Sequence, residues 1–265
     1  MSEDYLDINR EGWNARTELH FNSEFYDNKS FLEGRNSLNS IEMDLLGDVS
    51  GKKILHLQCH FGQDTISLSR MGAKCTGVDL SDKAIEKARE LAAETGEDVH
   101  FICSDVYGLD KVLDEYFDIV FTSYGTIGWL PDMDRWAAII DRFLKPGGTF
   151  VFAEFHPAVW MFNNDFSRIE YSYFNRQEIV EELEESYSDG KLEKTVQEVS
   201  WNHDLGEVLE ALLNKGLQIQ AFHEFDYSPY PCFKNMIEPE PGKFQISNLK
   251  GKLPMVYSLK ASKTI

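Results

Sequence analysis

The chain has 265 residues, enough to bury a substantial core in one elaborated domain. Its 26 basic and 45 acidic side chains leave a formal charge of −19, which repels phosphate backbones and anionic lipid and disfavours a nucleic-acid or membrane partner. No apolar run is long enough to span a bilayer, the four cysteines form no CxxC, and the start MSEDYLDINRE is unlike a secretory leader; a cytoplasmic protein with small-molecule chemistry and no metal site is expected.

In chain order, residues 4–46 read as short helices, with Trp13, Leu19, Phe21, Phe25 and Tyr26 on one apolar face and Ile41, Leu45 and Leu46 on a second. Residues 1–47 are expected to act as an N-terminal helical lid. A first strand, Ile54–Leu57, ends in a short turn from Gln58 and opens into the amphipathic segment TISLSRMGA. Lys74–Leu80 is a second strand, followed by a helix with Ser81 as N-cap. Val99–Cys103 and Phe117–Thr122 are further strands, Met133–Leu144 is helical, and Lys145-Pro146-Gly147-Gly148 turns into the strand Thr149–Phe155.

This alternation predicts a parallel, doubly wound α/β sheet. It breaks at Pro157. Residues 157–203 read as an insertion within the domain on the substrate side, with β-like pieces RIEYSYF and KTVQEVSW around an EELEE run taken as a solvated face. A helix, Asp204–Lys215, and two strands, Leu217–Phe225 and Pro254–Ala261, close the pattern.

Open α/β sheets bind ligands at the carboxyl ends of their strands. The turn Gln58 to Thr65 offers backbone N–H groups and a helix N-terminus to an anionic group. Asp79 ends the second strand with two acceptor oxygens suited to ribose hydroxyls, and Leu80 beside it offers an apolar surface to a flat ring. Asp105 and Val106 follow the third strand, where a carboxylate suits an exocyclic amine; Ser123 and Tyr124 follow the fourth. The turn is poor in glycine: Gly62 is present, but Gln58 and His60 stand where glycines are usual. Either their backbones stay at negative φ or the loop is strained. His60 is read as a packing residue or as a contact to cofactor or substrate.

These pieces resemble the class I S-adenosylmethionine-dependent methyltransferases: ILHLQCHFGQDT for the glycine loop, GVDLS for the ribose acid, CSDVYGL for the adenine loop, and FDIVFTSYGTIGWLPDMDRW and LKPGGTFVFAEFHP beyond. The likeness is greatest to uncharacterised small-molecule-type members with an HLQCHFG loop. It implies a Rossmann-like, seven-stranded, mostly parallel sheet with helices on both faces, and S-adenosyl-L-methionine as cofactor. It assigns cofactor binding to Gln58, His60, Gly62, Asp64, Thr65, Asp79, Leu80, Asp105, Val106 and Ser123. His56 replaces the family's usual acid, so the methionine ammonium must be held elsewhere, at Asp64 or by backbone carbonyls.

The activity implied is methyl transfer to a small acceptor, at O or N. Trp13, Trp129 and Trp160 are candidate substrate contacts, with core packing as the alternative. His156, directly after the fifth strand with Glu154 on the same strand face, is the candidate base, and Tyr124 a second catalytic candidate. His203 reads as a capping or packing residue. Two other readings stand beside this one: a cofactor-binding regulatory module of the same fold without catalysis, and a Rossmann oxidoreductase, against which the loop lacks GxGxxG. The acceptor and the oligomeric state are left open.

Overall fold

The computed structural model describes residues 4–174, 177–188 and 190–264. Strands β1 (Lys53–Leu57), β2 (Lys74–Asp79), β3 (His100–Cys103), β4 (Phe117–Ser123) and β5 (Leu144–Phe155) alternate with helices. The later strands are β6 (Ile179–Ser186), β7 (Gly190–Ser200), β8 (Leu217–Phe225), β9 (Met236–Glu240), β10 (Lys243–Ile246) and β11 (Val256–Lys263). The central sheet runs β3-β2-β1-β4-β5-β11-β8, and β11 is antiparallel to both of its neighbours. The expected seven-stranded sheet is therefore present. β6 pairs with β7, and β9 with β10, in separate two-stranded sheets.

The helices are α1 (Asp4–Phe21), α2 (Asn28–Leu32), α3 (Ser40–Leu46), α4 (Gln63–Arg70), α5 (Asp82–Thr95), α6 (Met133–Phe143) and α7 (Leu205–Asn214). Ser81 caps α5, its Oγ accepting from the Ala84 N–H at 3.0 Å. Alternation along β1 sends Leu55 and Leu57 into a core beneath α6 and α7, and Ile54 into a second core beneath α3 and α4. No helix among the described residues is long and apolar enough to cross a membrane.

Three expectations need correction. The N-terminal segment opens with one 18-residue helix, not several short ones. Its inner stripe is polar: Asn9, Arg16, Thr17 and His20 are buried at helical spacing, and Asn9 Nδ2 donates to Val199 O of β7 at 2.8 Å. The EELEE run belongs to strand β6, where Glu181 and Leu183 turn inward while Glu182 and Glu184 stay exposed. Residues 168–174 make no strand; a single bridge, Phe162 to Ile169, touches them. The lid proposed over 1–47 includes residues 1–3, and the insertion over 157–203 includes 175, 176 and 189; these lie outside the described residues.

Candidate active site

The loop after β1 keeps a glycine-type backbone without glycine at two positions. Gln58 and His60 stand at φ 56° and 50°, and Gly62 at 81°. Of the two options left open by the sequence, the strained one holds. Left-handed backbone at a non-glycine residue costs about 1–2 kcal/mol, so neighbours must over-determine it. They do: Gln58 Nε2 donates to Thr126 O at 2.7 Å, the Cys59 N–H to Val78 O at 2.9 Å, and the His60 N–H to Asp79 Oδ2 at 2.8 Å. At Gly62 glycine is required on both counts, because a Cβ there would stand 2.6 Å from the Phe101 ring.

Asp79 accepts from the His60 N–H through Oδ2 and from the Ser81 N–H through Oδ1. Burial outweighs these bonds and pushes its carboxyl up to about 6. Leu80, Asp105 and Val106 border the same cavity, and Asp105 Oδ1 also accepts from the Gly108 N–H at 2.9 Å. Asp64, in the first turn of α4, accepts from Ser37 Oγ at 2.6 Å and, at a long 3.4 Å, from Ser123 Oγ. Burial raises its carboxyl as well, opposed by the two hydroxyls and by Arg35.

His56 lies beneath this loop. Its Nδ1 meets Thr65 Oγ1 at 2.8 Å, and burial holds the imidazole down to about 3, so it is neutral at pH 7. Thr65, expected among the ligand residues, is fully buried in that bond and does not line the cavity. His156 is also absent from the cavity wall. Its Nδ1 accepts from the Ala158 N–H at 3.0 Å, which leaves the proton on Nε2, facing Glu224 Oε1 at 2.9 Å. With both nitrogens engaged by the protein, His156 cannot serve as the expected base. Its strand neighbour Glu154 does border the cavity, but as a scaffold: it accepts from the N–H groups of Gly125, Thr126, Ile127 and Phe155 and shapes the loop after β4. His203 borders the cavity, with Nε2 donating to Leu130 O at 2.7 Å and Nδ1 beside Glu207.

The predicted aromatic residues do come together. Trp13 of α1 meets Trp129 edge-on at 5.3 Å between centroids, and Trp160 packs on Phe155 and Phe233. All three tryptophans and Tyr124 line the cavity, whose volume is about 560 Å³. Tyr124 stands at φ 45°, and its hydroxyl donates to Glu42 Oε2 at 2.6 Å.

Residues not foreseen stand in the wall (Arg16, Tyr26, Tyr187) or directly behind it (His20). Arg16 of α1 pairs with Glu198 of β7. His20 Nδ1 meets His60 Nε2 at 3.0 Å, and its Nε2 meets Ser186 Oγ of β6 at 2.6 Å. Burial drives His20 to about 2 and His60 to about 3, so this chain of contacts is uncharged. Tyr26 and Tyr187 join by their hydroxyls at 2.6 Å. The spacing of Asn9, Trp13, Arg16 and His20 (four, three, four) was the available signal for the α1 residues. An apolar-periodicity search passes over it.

Buried polar atoms in native proteins are paired, so an unpaired one calls for a partner from outside the chain. Arg16 Nη1, Gln58 Oε1 and His60 Nδ1 are buried, have no partner among the described residues, and belong to residues lining this one cavity. Donor and acceptor capacity in an apolar cavity at the strands' carboxyl ends fits a polar, nucleoside-bearing ligand.

Residues 55–152 match the methyltransferase domain family. The chain is 26% identical over 132 residues to a ubiquinone biosynthesis O-methyltransferase of Chromobacterium violaceum, covering 49% of this chain and 56% of that one. It is 30% identical over 134 residues to an uncharacterized methyltransferase of Synechocystis, covering 49% and 59%. It thus spans less than two thirds of the length of these curated relatives. In fold it is similar to a putative S-adenosylmethionine-dependent methyltransferase of Listeria monocytogenes (TM-score 0.57, 20% identity, 84% and 95% covered). It is similar also to the Synechocystis magnesium protoporphyrin IX methyltransferase solved with S-adenosylhomocysteine (TM-score 0.54, 13% identity, 98% and 100% covered). Residues 55–152 thus carry a methyltransferase domain, set on a seven-stranded sheet whose one antiparallel strand is β11.

Proposed function

We propose that the chain catalyses methyl transfer from S-adenosyl-L-methionine to a small-molecule acceptor through oxygen or nitrogen. The observation that carries this reading is the convergence on one cavity of the β1 loop, Asp79, Asp105 and the three unpaired polar atoms. Asp79 is assigned the ribose hydroxyls. Leu80, Asp105 and Val106 are assigned the adenine. Asp64 and Ser123, with Gln58, His60 and Gly62, are assigned the methionine end. Asp64 supplies the negative charge that neutral His56 lacks, and Arg35, which also borders the cavity, is placed for the carboxylate.

When bound, the cofactor supplies an activated methyl group on a sulfonium, so the protein's task is positioning and exclusion of water. Trp13, Trp129 and Trp160 give the acceptor an aromatic wall and offer ring faces to positive charge. The strongly acidic surface supports a small molecule over a nucleic acid, and the composition supports a cytoplasmic setting.

Calorimetric titration with S-adenosylhomocysteine tests this reading. Binding with one site per chain is expected. Absence of binding at millimolar ligand overturns it, because every assigned role depends on that cofactor.

A further inference from the structure

Glu42 stands in the first turn of α3 and is fully buried. One of its oxygens serves the helix: Oε1 accepts from the Asn39 N–H at 2.6 Å and from Asn39 Nδ2 at 3.0 Å, the reach-back of a capping box. A glutamine serves that purpose as well, without a charge to bury. No lysine, arginine or histidine pairs with Glu42 among the described residues, and an uncompensated buried carboxylate is costly. Its second oxygen is turned towards the ligand edge of the sheet, where Oε2 accepts from the Tyr124 hydroxyl.

Tyr124 is the first residue past β4, held in the left-handed region at φ 45° with its N–H donating to Ala153 O at 2.7 Å. Strained backbone at a non-glycine residue beside a ligand cavity is a feature of functional positions. The groups facing Glu42 are Asp64 from α4, Tyr124, and Tyr230, whose hydroxyl accepts from Asn39 Nδ2 at 2.7 Å. Ser37 and Arg35 in turn face Asp64. Burial first, and the Asp64 charge second, push the Glu42 carboxyl up to about 7, a value at which a proton is taken up and given back near neutral pH.

We propose that Glu42, acting through the Tyr124 hydroxyl, receives the proton that the acceptor loses on methylation. This rests on the methyltransferase reading above. The acceptor's X–H pair becomes the new X–CH3 bond, and the C–S pair returns to sulfur, which loses its positive charge. The acceptor's proton passes to Tyr124 Oη as the tyrosine's own proton passes to Glu42 Oε2. The acceptor is then a hydroxyl compound or a neutral amine, because a carboxylate or thiolate has no proton to give. Tyr124 touches the acceptor; Glu42 is a positioning and relay residue behind it.

The test compares the native chain with E42Q and Y124F. Infrared difference spectra between about pH 5 and 9 are expected to show a buried carboxyl that ionises near neutrality, disappears in E42Q, and titrates at higher pH in Y124F, which removes a donor that favours the ionised form. If no titrating band is lost in E42Q, or the band keeps its midpoint in Y124F, the relay is overturned whether or not an acceptor is known. Where the native chain methylates a probe from a panel of simple phenols and primary amines, E42Q is expected to lower kcat by ~10²-fold at unchanged KM and to flatten the pH profile. An unchanged kcat overturns the proposal. Calorimetry with S-adenosylhomocysteine separates the two claims: failure of the native chain to bind overturns the methyltransferase reading, whereas binding without a titrating Glu42 overturns the relay alone.

Discussion

The His60 backbone N–H donates to Asp79 Oδ2 across 2.8 Å, so the carboxylate ending β2 holds the loop that follows β1 while it faces the cavity. D79N turns one accepting oxygen into a donor opposite either the His60 or the Ser81 N–H. It is expected to destabilise the fold by about 1–3 kcal/mol, read from urea denaturation.

The same carboxylate predicts a pH dependence. Its folded value, about 6, lies above the ordinary 3.8. The stability it contributes is therefore fully present below 3.8 and is lost as pH rises through about 6. Ribose hydroxyls donate to the ionised form, so ligand binding runs the other way. Native affinity for S-adenosylhomocysteine is expected to strengthen by up to ~10-fold from about pH 5 to 7, while D79N stays flat. A flat calorimetric profile for the native chain would remove Asp79 from the ribose site.

At Gln58, φ 56° sets backbone strain against the side-chain bond to Thr126 O. Comparing Q58G with Q58A isolates the strain, since both lose that bond and only alanine keeps a Cβ. Q58G is expected to be the more stable by ~1 kcal/mol, after the greater freedom of glycine in the unfolded chain is set against the relief. Equal melting behaviour would mean that the loop relaxes once the side chain is gone.

The sheet was legible because each strand is an apolar run closed by turn residues, and its carboxyl ends mark where ligand residues stand. That logic placed Asp79, Leu80, Asp105, Ser123 and Tyr124 on one cavity. It failed for His156 because strand alternation stops where the strand does. β5 ends at Phe155, and the His156 N–H already donates to Met255 O as the chain turns towards Glu224. It failed for Arg16 and His20 because α1 buries a polar stripe, and the partners Glu198 of Arg16 and Ser186 of His20 lie over 160 positions away in β7 and β6. Glu42 read as an ordinary helix-start acid, since the partner of its second oxygen, Tyr124, is distant in sequence.

His156 yields a prediction opposite to that for a base. Replacing it with alanine leaves the Ala158 N–H without its acceptor and Glu224 without its donor. H156A is expected to lose about 1–3 kcal/mol of stability while keeping the native affinity for S-adenosylhomocysteine. Lost affinity with intact stability would place the imidazole in the site after all.

Arg16 and Glu198 join α1 to β7 as a buried pair, with side chains 5% and 11% exposed. Glu181 stands directly opposite Glu198 in the β6–β7 register, so Arg16 also offsets two facing carboxylates. Removing the cation alone strands that charge, and R16A is expected to cost about 3–5 kcal/mol, with faster hydrogen exchange along α1. Removing both charges does not strand it. R16M/E198L is expected to recover most of the loss, because an apolar pair of similar volume avoids the desolvation penalty. If the double variant recovers stability but binds S-adenosylhomocysteine weakly, the unpaired Arg16 Nη1 is a ligand contact. If neither property recovers, α1 is held by packing that both substitutions disrupt, and the ion pair is not what seats it over the cavity.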